Sequence, residues 1–225
     1  MTPYAEVQHR ISNACNESRR LRSEVTLIAV SKTQSAERLA ELADGGQRDF
    51  GESYVQEALP KQDALAGRGL IWHFIGPIQS NKTRPIAERF DWVHSVDRLK
   101  VAERLSAQRP DELPPLNVCL EVNISGESSK GGVAPADLPA FACSVASLPR
   151  LRLRGLMAIP APCDDAVGQR AGFRAMRQLL EQLRAMGLTL DVLSMGMSDD
   201  LEAAIAEGAT HLRVGTALFG KRSNT

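Results

Sequence analysis

The 225-residue sequence has no excess of either charge, because 27 Lys and Arg residues balance 27 Asp and Glu residues. A strongly basic surface for nucleic acid or anionic lipid is therefore not indicated, and the Arg19, Arg20 and Arg22 cluster is typical of a solvated helix face. The sequence also lacks an apolar run of about 20 residues and an apolar segment of signal-peptide length at its N-terminus. We therefore expect a cytoplasmic protein with no nucleic-acid and no membrane partner.

Motifs for metal ions and disulfides are also missing. No CxxC pair and no HExxH sequence occurs, and the few cysteines and histidines are widely spaced: Cys15, Cys119, Cys143, Cys163, His9, His73, His94 and His211. Cysteines at irregular spacing are typical of reduced thiols in a cytoplasmic protein, and no zinc site is predicted.

The whole sequence is 43% hydrophobic and 24% charged. Short apolar runs alternate with helical stretches along most of its length. The apolar and β-branched runs predict eight strands, at 27–31, 48–51, 70–75, 91–95, 116–123, 153–158, 188–194 and 211–215. Apolar periodicity with acidic starts and glycine stops predicts helices at 36–46, 97–108, 171–187 and 199–208. An amphipathic helix at about residues 4–20 precedes the first strand.

Eight strand and helix units in this length predict a parallel (β/α)8 barrel, a TIM barrel. The alternative is an open doubly wound sheet, which usually has fewer strands and a GxGxxG sequence after the first one. That sequence is absent. With no linker or low-complexity segment, residues 1–225 are predicted to form a single domain with one extra N-terminal helix.

The carboxyl ends of the seventh and eighth strands carry the residues expected of an anion site. The loops after these strands hold phosphate in many barrels, and glycines and small hydroxyls at their starts, Ser198, Gly215 and Thr216, suit this role. The alternative is that Ser198 only caps a helix, whose start Asp199 and Asp200 would favour. Those two carboxylates would also repel an anion.

Lys32 stands at the carboxyl end of the first strand, directly after the apolar run Leu27–Ser31. A partly desolvated amine there can attack a carbonyl carbon. This pattern leaves three interpretations: a lysine that holds pyridoxal 5′-phosphate (PLP), a Schiff-base aldolase without cofactor, or a lysine that merely extends from a strand end into water.

Seven motifs in order resemble one family, the PLP homeostasis proteins, from about residue 25 to residue 222. These motifs are AVSKT (29–33), GESYVQE (51–57), WHFIGPIQSNK (72–82), VNISGESSKGG (122–132), GLMAI (155–159), LSMGMSDD (193–200) and RVGTALFGKR (213–222). The resemblance implies a barrel of PLP fold type III, similar to the N-terminal domain of alanine racemases.

The resemblance also implies roles for individual residues. The family's AVSK lysine, here Lys32, forms an aldimine with PLP. The phosphate cup matches Ser198 and the Gly215-Thr216 turn, and Arg213 matches the arginine that faces the pyridine nitrogen.

Three further motif positions are less distinctive. Asn123 and Met157 match strand-end positions around the cofactor ring, although Met157 would equally suit core packing. The family usually has GEN where this chain has Gly51-Glu52-Ser53, so a contact made by the asparagine amide would be lost or replaced at Ser53.

The function implied is PLP homeostasis, as a carrier or regulator that holds PLP without strong turnover and passes it to PLP-dependent apo-enzymes. An arginine only donates hydrogen bonds, so Arg213 would keep the ring nitrogen unprotonated and PLP a weak electron sink. The chain also offers only Tyr4 and Tyr54, and no second domain that could supply a racemase's second acid–base group, which favours a monomer. The alternative is a PLP-dependent amino-acid racemase. Lys130 and Lys82 are each either a solvated lysine or a residue that helps to gate or transfer PLP.

Overall fold

The computed structural model describes residues 1–127, 130–161 and 166–220, without the side chains of residues 166 and 167. Eight parallel strands close into one barrel in chain order, which confirms the predicted (β/α)8 fold. The strands are β1 (Thr26–Val30), β2 (Asp49–Glu52), β3 (Ile71–Phe74), β4 (Trp92–Val96), β5 (Leu116–Glu121), β6 (Leu151–Met157), β7 (Val192–Ser194) and β8 (His211–Val214).

Helices cover the outside of the barrel. Those in the described residues are α1 (Pro3–Glu17), α2 (Ala36–Asp44), α3 (Val55–Ala64), α4 (Thr83–Arg89), α5 (Leu99–Gln108), α6 (Leu138–Ala146), α7 (Ala166–Ala185), α8 (Leu201–Ala206) and α9 (Thr216–Phe219), with short 3-10 helices at Arg22–Glu24 and Ser80–Lys82. The extra helix α1 begins at a Thr2 cap, buries Val7 and Ile11, and packs against α8 and α9.

The strand predictions are correct in number, but the seventh is too long. The predicted strand starts at Leu188 because Leu188, Thr189 and Leu190 are apolar or β-branched, whereas β7 comprises Val192–Ser194 only. The β6–β7 pair meets at Gly155, where an added Cβ would lie 1.9 Å from the Val192 carbonyl oxygen. Only a glycine allows the two strands to approach this closely.

Four helices, α3, α4, α6 and α9, were not predicted, and the four-residue α9 lies where only a turn was expected. Helix α3 contains Pro60, a residue that normally interrupts a helical pattern. Helix α4 has only seven residues, and α6 is so uniformly apolar that it shows little amphipathic periodicity.

The main core lies between the sheet and the helices, and its largest fully buried side chains include Phe50, Phe90 and Phe173. A second, small cluster consists of Cys119, Met157 and Val192. Cys15 and Cys119 are buried free thiols and Cys143 is an exposed one, whereas the predicted thiol Cys163 and the domain end at 221–225 lie outside the described residues. Among the described helices, none is long and apolar enough to cross a membrane.

Candidate functional site

A cavity of about 240 Å³ opens at the carboxyl ends of β1, β7 and β8. It brings together most of the predicted site residues, because its lining includes Lys32, Ser198, Arg213, Gly215 and Thr216. These residues are far apart in the sequence, and closure of the barrel places β8 directly beside β1. The cavity therefore combines an amine, small hydroxyls and a guanidinium within one space.

A buried ion pair between Lys61 and Glu52 fixes the backbone directly before Lys32. The sequence did not predict this pair. The Lys61 ammonium donates to the Ser31 carbonyl oxygen at 2.9 Å and to Glu52 Oε1 at 2.8 Å. The Ser31 hydroxyl donates to the same carboxylate oxygen at 2.6 Å. Burial raises the pKa of Glu52, while the bonds from Lys61 and Ser31 oppose that rise. The residue before Lys32 is thus fixed through both its backbone and its side chain.

The residue after Lys32 is fixed as well. Thr33 adopts a left-handed conformation with a φ of 66°, which is uncommon for a residue other than glycine. Its backbone N–H donates to Glu57 Oε2 at 2.9 Å, and Glu57 lies 3.9 Å from the Lys61 ammonium. Since Glu52, Glu57 and Lys61 contact both neighbours of Lys32, they set the position from which its side chain enters the cavity.

The loops after β7 and β8 form the opposite side of the cavity and are linked to each other. The Ser198 hydroxyl accepts a hydrogen bond from the Ala217 N–H at 3.2 Å. The alternative in which Ser198 only caps a helix is wrong, because α8 begins three residues later, at Leu201. Asp200 is the residue before α8, and its carboxylate makes no cap bond to the helix but accepts the N–H of Met197 in the preceding turn.

Glycines shape this side of the cavity. Gly196 has a φ of 94°, and a Cβ at that position would lie 2.5 Å from the Ala204 Cβ. At Gly215 an added Cβ would lie 3.3 Å from the Val30 Cβ and 3.4 Å from the Val30 carbonyl oxygen. A side chain at this position would need Val30 to shift slightly, so Gly215 favours the close approach of the β8 loop to β1, which carries Lys32.

Arg213 lines the cavity from β8 but is 5% exposed. Its Nη1 donates to the Ser194 hydroxyl at 2.7 Å, and its Nη2 donates to the Ala158 carbonyl oxygen at 3.0 Å. Burial lowers the pKa of Arg213 to about 10, while the charges of Asp200 and Glu121 oppose that change. Arg213 therefore remains a cation at neutral pH, and it can only donate.

The structure does not place Met157 among the residues that line the cavity. Its side chain is 1% exposed and packs with Cys119 and Val192 in the small cluster. This is the core-packing alternative that the sequence left open.

Asn123 lies in a neighbouring cavity of about 140 Å³, which shares only Ile159 with the first one. Its amide holds the following loop, because Nδ2 donates to the Glu127 carbonyl oxygen at 2.9 Å and Oδ1 accepts the Glu127 N–H at 3.2 Å. Lys130 lines the same cavity and lies 2.5 Å from Glu127 Oε2. Asn123 thus stands next to the Lys32 cavity rather than in it.

Ser53 and Lys82, the two remaining positions from the sequence analysis, lie in different parts of the structure. Ser53, where the family usually has asparagine, is buried and lines the Lys32 cavity. Lys82 ends the 3-10 helix Ser80–Lys82 and is among the lining residues of neither cavity.

Three of the four histidines meet inside the barrel, a feature that sequence reasoning missed. His73, His94 and His211 come from β3, β4 and β8, and their ring centroids lie 5.2 to 6.3 Å apart. The sequence does contain one histidine in each of three predicted strands, and this was the feature that could have indicated the cluster. The described residues nevertheless contain no group of His, Cys, Asp and Glu arranged to hold a metal ion.

Two of these histidines, His94 and His211, make folding stability depend on pH. Burial, with the charge of His73 adding to it, lowers the pKa of His211 to about 3 and that of His94 well below its usual value. The unfolded chain takes up protons at these groups near pH 6.5, so stability falls as the pH drops below that value. Each histidine contributes a loss of roughly 1.4 kcal/mol per pH unit, down to its pKa in the folded protein.

Urea unfolding at pH 7.5 and pH 5.5 measures this loss. We expect the decrease in unfolding free energy to be about 1.4 kcal/mol smaller in His211→Phe than in the wild type, since one proton-binding site of the unfolded chain is gone. Glu52 and Glu121, whose pKa values burial raises, act in the opposite direction but are the same in both proteins. An equal decrease in the two proteins would contradict the prediction.

The comparison with protein families agrees with the fold and the site. Residues 5–223 match the family model described as alanine racemase, N-terminal domain. The chain is thus a barrel of the alanine racemase N-terminal-domain class.

Individual relatives with high sequence identity define the family more closely. The chain is 63% identical over 218 residues to the pyridoxal phosphate homeostasis protein of Pseudomonas aeruginosa, covering 97% of this chain and 94% of the relative. It is 54% identical over 221 residues to the protein of that name in Escherichia coli, again covering 97% and 94%. This protein belongs to the pyridoxal phosphate homeostasis protein family.

A solved structure shows the same fold. PipY of Synechococcus elongatus, determined with PLP bound, is 42% identical and superposes with a TM-score of 0.82, covering 93% of this chain and all of PipY.

Proposed function

We propose that this protein binds PLP in the Lys32 cavity and serves PLP homeostasis, holding the cofactor and supplying it without strong turnover. One observation carries the proposal: Lys32, the linked Ser198 and Gly215-Thr216 loops, and Arg213 line a single cavity. The names of the relatives in Pseudomonas aeruginosa and Escherichia coli, and the PLP bound to PipY, support it.

The donor set of the cavity fits PLP. When bound, PLP supplies an aldehyde that reacts with amines, a phosphate and a pyridine ring that can draw electrons from a bound amino acid. Lys32 offers the amine, Ser198 and Thr216 offer hydroxyl donors, and Gly215 allows close approach of an anion to the backbone. Arg213 is the cation beside these groups, on the floor of the cavity.

Arg213 is the main reason to propose weak catalysis. PLP stabilises carbanions by acting as an electron sink, and protonation of its ring nitrogen strengthens that effect. A guanidinium has donors but no acceptor, so Arg213 would donate a hydrogen bond to that nitrogen and would disfavour its protonation. The bonds from Arg213 to Ser194 and to the Ala158 carbonyl keep the guanidinium in place.

The mouth of the cavity suits transfer of PLP to another protein. Ile159 and Met197 line it and are 40% and 38% exposed, so the cavity is open to solvent on that side. PLP-dependent apo-enzymes are the proposed recipients, and the free thiols Cys15 and Cys119 support a cytoplasmic location. The monomeric state inferred from the sequence stays a prediction.

Mapping of a reduced adduct tests the binding site. Wild-type protein is incubated with PLP, reduced with borohydride, digested and analysed by mass spectrometry. We expect the PLP mass on the peptide that contains Lys32, because that lysine alone lines the cavity among the lysines of the described residues. Absence of fixed PLP, or PLP fixed on another lysine, would overturn the proposal.

An assay of amino-acid racemisation tests the proposal that the protein holds PLP without strong turnover. The PLP-loaded protein is expected to convert L-alanine to D-alanine no faster than free PLP at the same concentration. Sustained racemisation, lost on substitution of Lys32, would favour the racemase instead.

A further inference from the structure

A chain of hydrogen bonds crosses the interior of the barrel from the Lys32 cavity to the opposite end. It joins side chains from five strands, and all but the last of them are buried. Its links are Arg213 Nη1 to Ser194 Oγ at 2.7 Å, Ser194 Oγ to His94 Nδ1 at 2.8 Å, His94 Nε2 to His73 Nδ1 at 2.9 Å, and His73 Nε2 to Asp49 Oδ1 at 3.0 Å.

When both histidines are neutral, the carboxylate at the Asp49 end determines the direction of every proton in this chain. A guanidinium can only donate and a carboxylate can only accept. Because Ser194 accepts from Arg213, its O–H is left to donate to His94 Nδ1. His94 then donates from Nε2 to His73 Nδ1, and His73 donates from Nε2 to Asp49. With both histidines neutral, one arrangement satisfies all four bonds, and in it each histidine carries its proton on Nε2.

Burial favours the same protonation. His94 is completely buried, and burial, with the charge of Arg213 adding to it, keeps its pKa well below the usual value. A second proton on His94 would place two donors, the imidazolium N–H and Arg213, on the single Ser194 oxygen and would remove the donor role of its hydroxyl.

We infer that Ser194, His94 and His73 are positioning residues that orient the Arg213 guanidinium for a ligand's ring nitrogen, with Asp49 as the fixed acceptor at the far end. The inference rests on the proposed function for the identity of that ligand. Ser194 holds Nη1 and the Ala158 carbonyl holds Nη2, so the plane of the guanidinium is set by two bonds. Its remaining N–H groups are then available to the cavity that Arg213 lines.

Matched variants separate this role from a general contribution to packing. Ser194→Ala removes the acceptor of Arg213, while Ser194→Thr retains the hydroxyl. His211→Phe is the control, since His211 is buried within 6.0 Å of His94 and 6.3 Å of His73 by ring centroids but is no link in the chain. For each variant, PLP binding is measured by absorbance and stability by urea unfolding.

We expect Ser194→Ala to raise the dissociation constant of PLP roughly tenfold, the effect of one hydrogen bond to a charged group. Ser194→Thr and His211→Phe are expected to bind PLP as the wild type does, even where they lower stability. Equal weakening of PLP binding by Ser194→Ala and His211→Phe would overturn the inference. The loss of affinity would then come from disturbed core packing and not from the lost hydrogen bond to Arg213.

Nitrogen-15 NMR of the wild-type protein without PLP tests the proton arrangement directly. We expect His94 and His73 to show a protonated Nε2 and an unprotonated Nδ1 at pH 7, and Ser194→Ala to move the His94 Nδ1 resonance. Protonation of either histidine on Nδ1 would overturn the inference. Because this measurement needs no cofactor, it is independent of the proposed function, which fails only if the wild type fixes no PLP on Lys32.

Discussion

A Lys32→Arg variant is expected to lose all covalently fixed PLP while retaining its fold. The guanidinium keeps a cation at the end of β1, but it stays protonated and so has no free electron pair with which to attack an aldehyde carbon. Ser31 and Thr33, the neighbours of Lys32, keep their bonds to Lys61, Glu52 and Glu57. Intact-protein mass spectrometry after borohydride reduction measures the fixed PLP.

The matched control for this experiment is Lys82→Arg, which changes a lysine outside both cavities. It is expected to fix PLP as the wild type does. If Lys32→Arg still carried reduced PLP, the bond would form at another lysine. If both variants lost it, the loss would not report on Lys32.

Lys61→Met is expected to lower the free energy of unfolding by about 3–5 kcal/mol, because it leaves the buried Glu52 carboxylate without its counter-charge. Lys61 and Glu52 are 8% and 0% exposed, so water cannot replace the lost partner. The Ser31 carbonyl loses the same donor, and the turn that carries Lys32 becomes less firmly held. We therefore also expect slower fixation of PLP on Lys32 in this variant.

Two further variants show whether the effect comes from the buried charge. Lys61→Met combined with Glu52→Gln removes that charge and should recover part of the lost stability. Asp44→Ala breaks the exposed ion pair with Arg68 and should cost less than about 1 kcal/mol. A loss in Lys61→Met no larger than that in Asp44→Ala would show that the ion pair does not stabilise the turn.

The eight strands and the place of Lys32 follow from the sequence because they depend on local pattern. Apolar runs, glycine stops and the order of units suffice to predict a parallel barrel. The start of the seventh strand and the alternative cap at Ser198 were wrong, since the ends of strands and helices depend on which of several neighbouring residues closes a turn. Asp200, two residues later, is the residue that precedes α8.

The interior contacts could not be predicted in the same way. Ser194 and His94 are 100 residues apart, and their hydrogen bond exists only because the barrel closes with a particular register. The Glu52–Lys61 pair is nine residues apart, but it joins a strand to a helix whose pattern was hidden by Pro60. Spacing alone did not distinguish either pair from ordinary surface residues.

The chain of hydrogen bonds that ends at Asp49 limits how freely the amino-terminal end of this barrel can be redesigned. In barrels of this kind the amino-terminal end usually contributes stability alone, so it is the part that an engineer would replace freely when transplanting a binding site. Here Asp49 at the start of β2 is joined to Arg213 in the cavity through three side chains. A graft of the cavity loops onto another scaffold would therefore have to carry Asp49, His73, His94 and Ser194 with it.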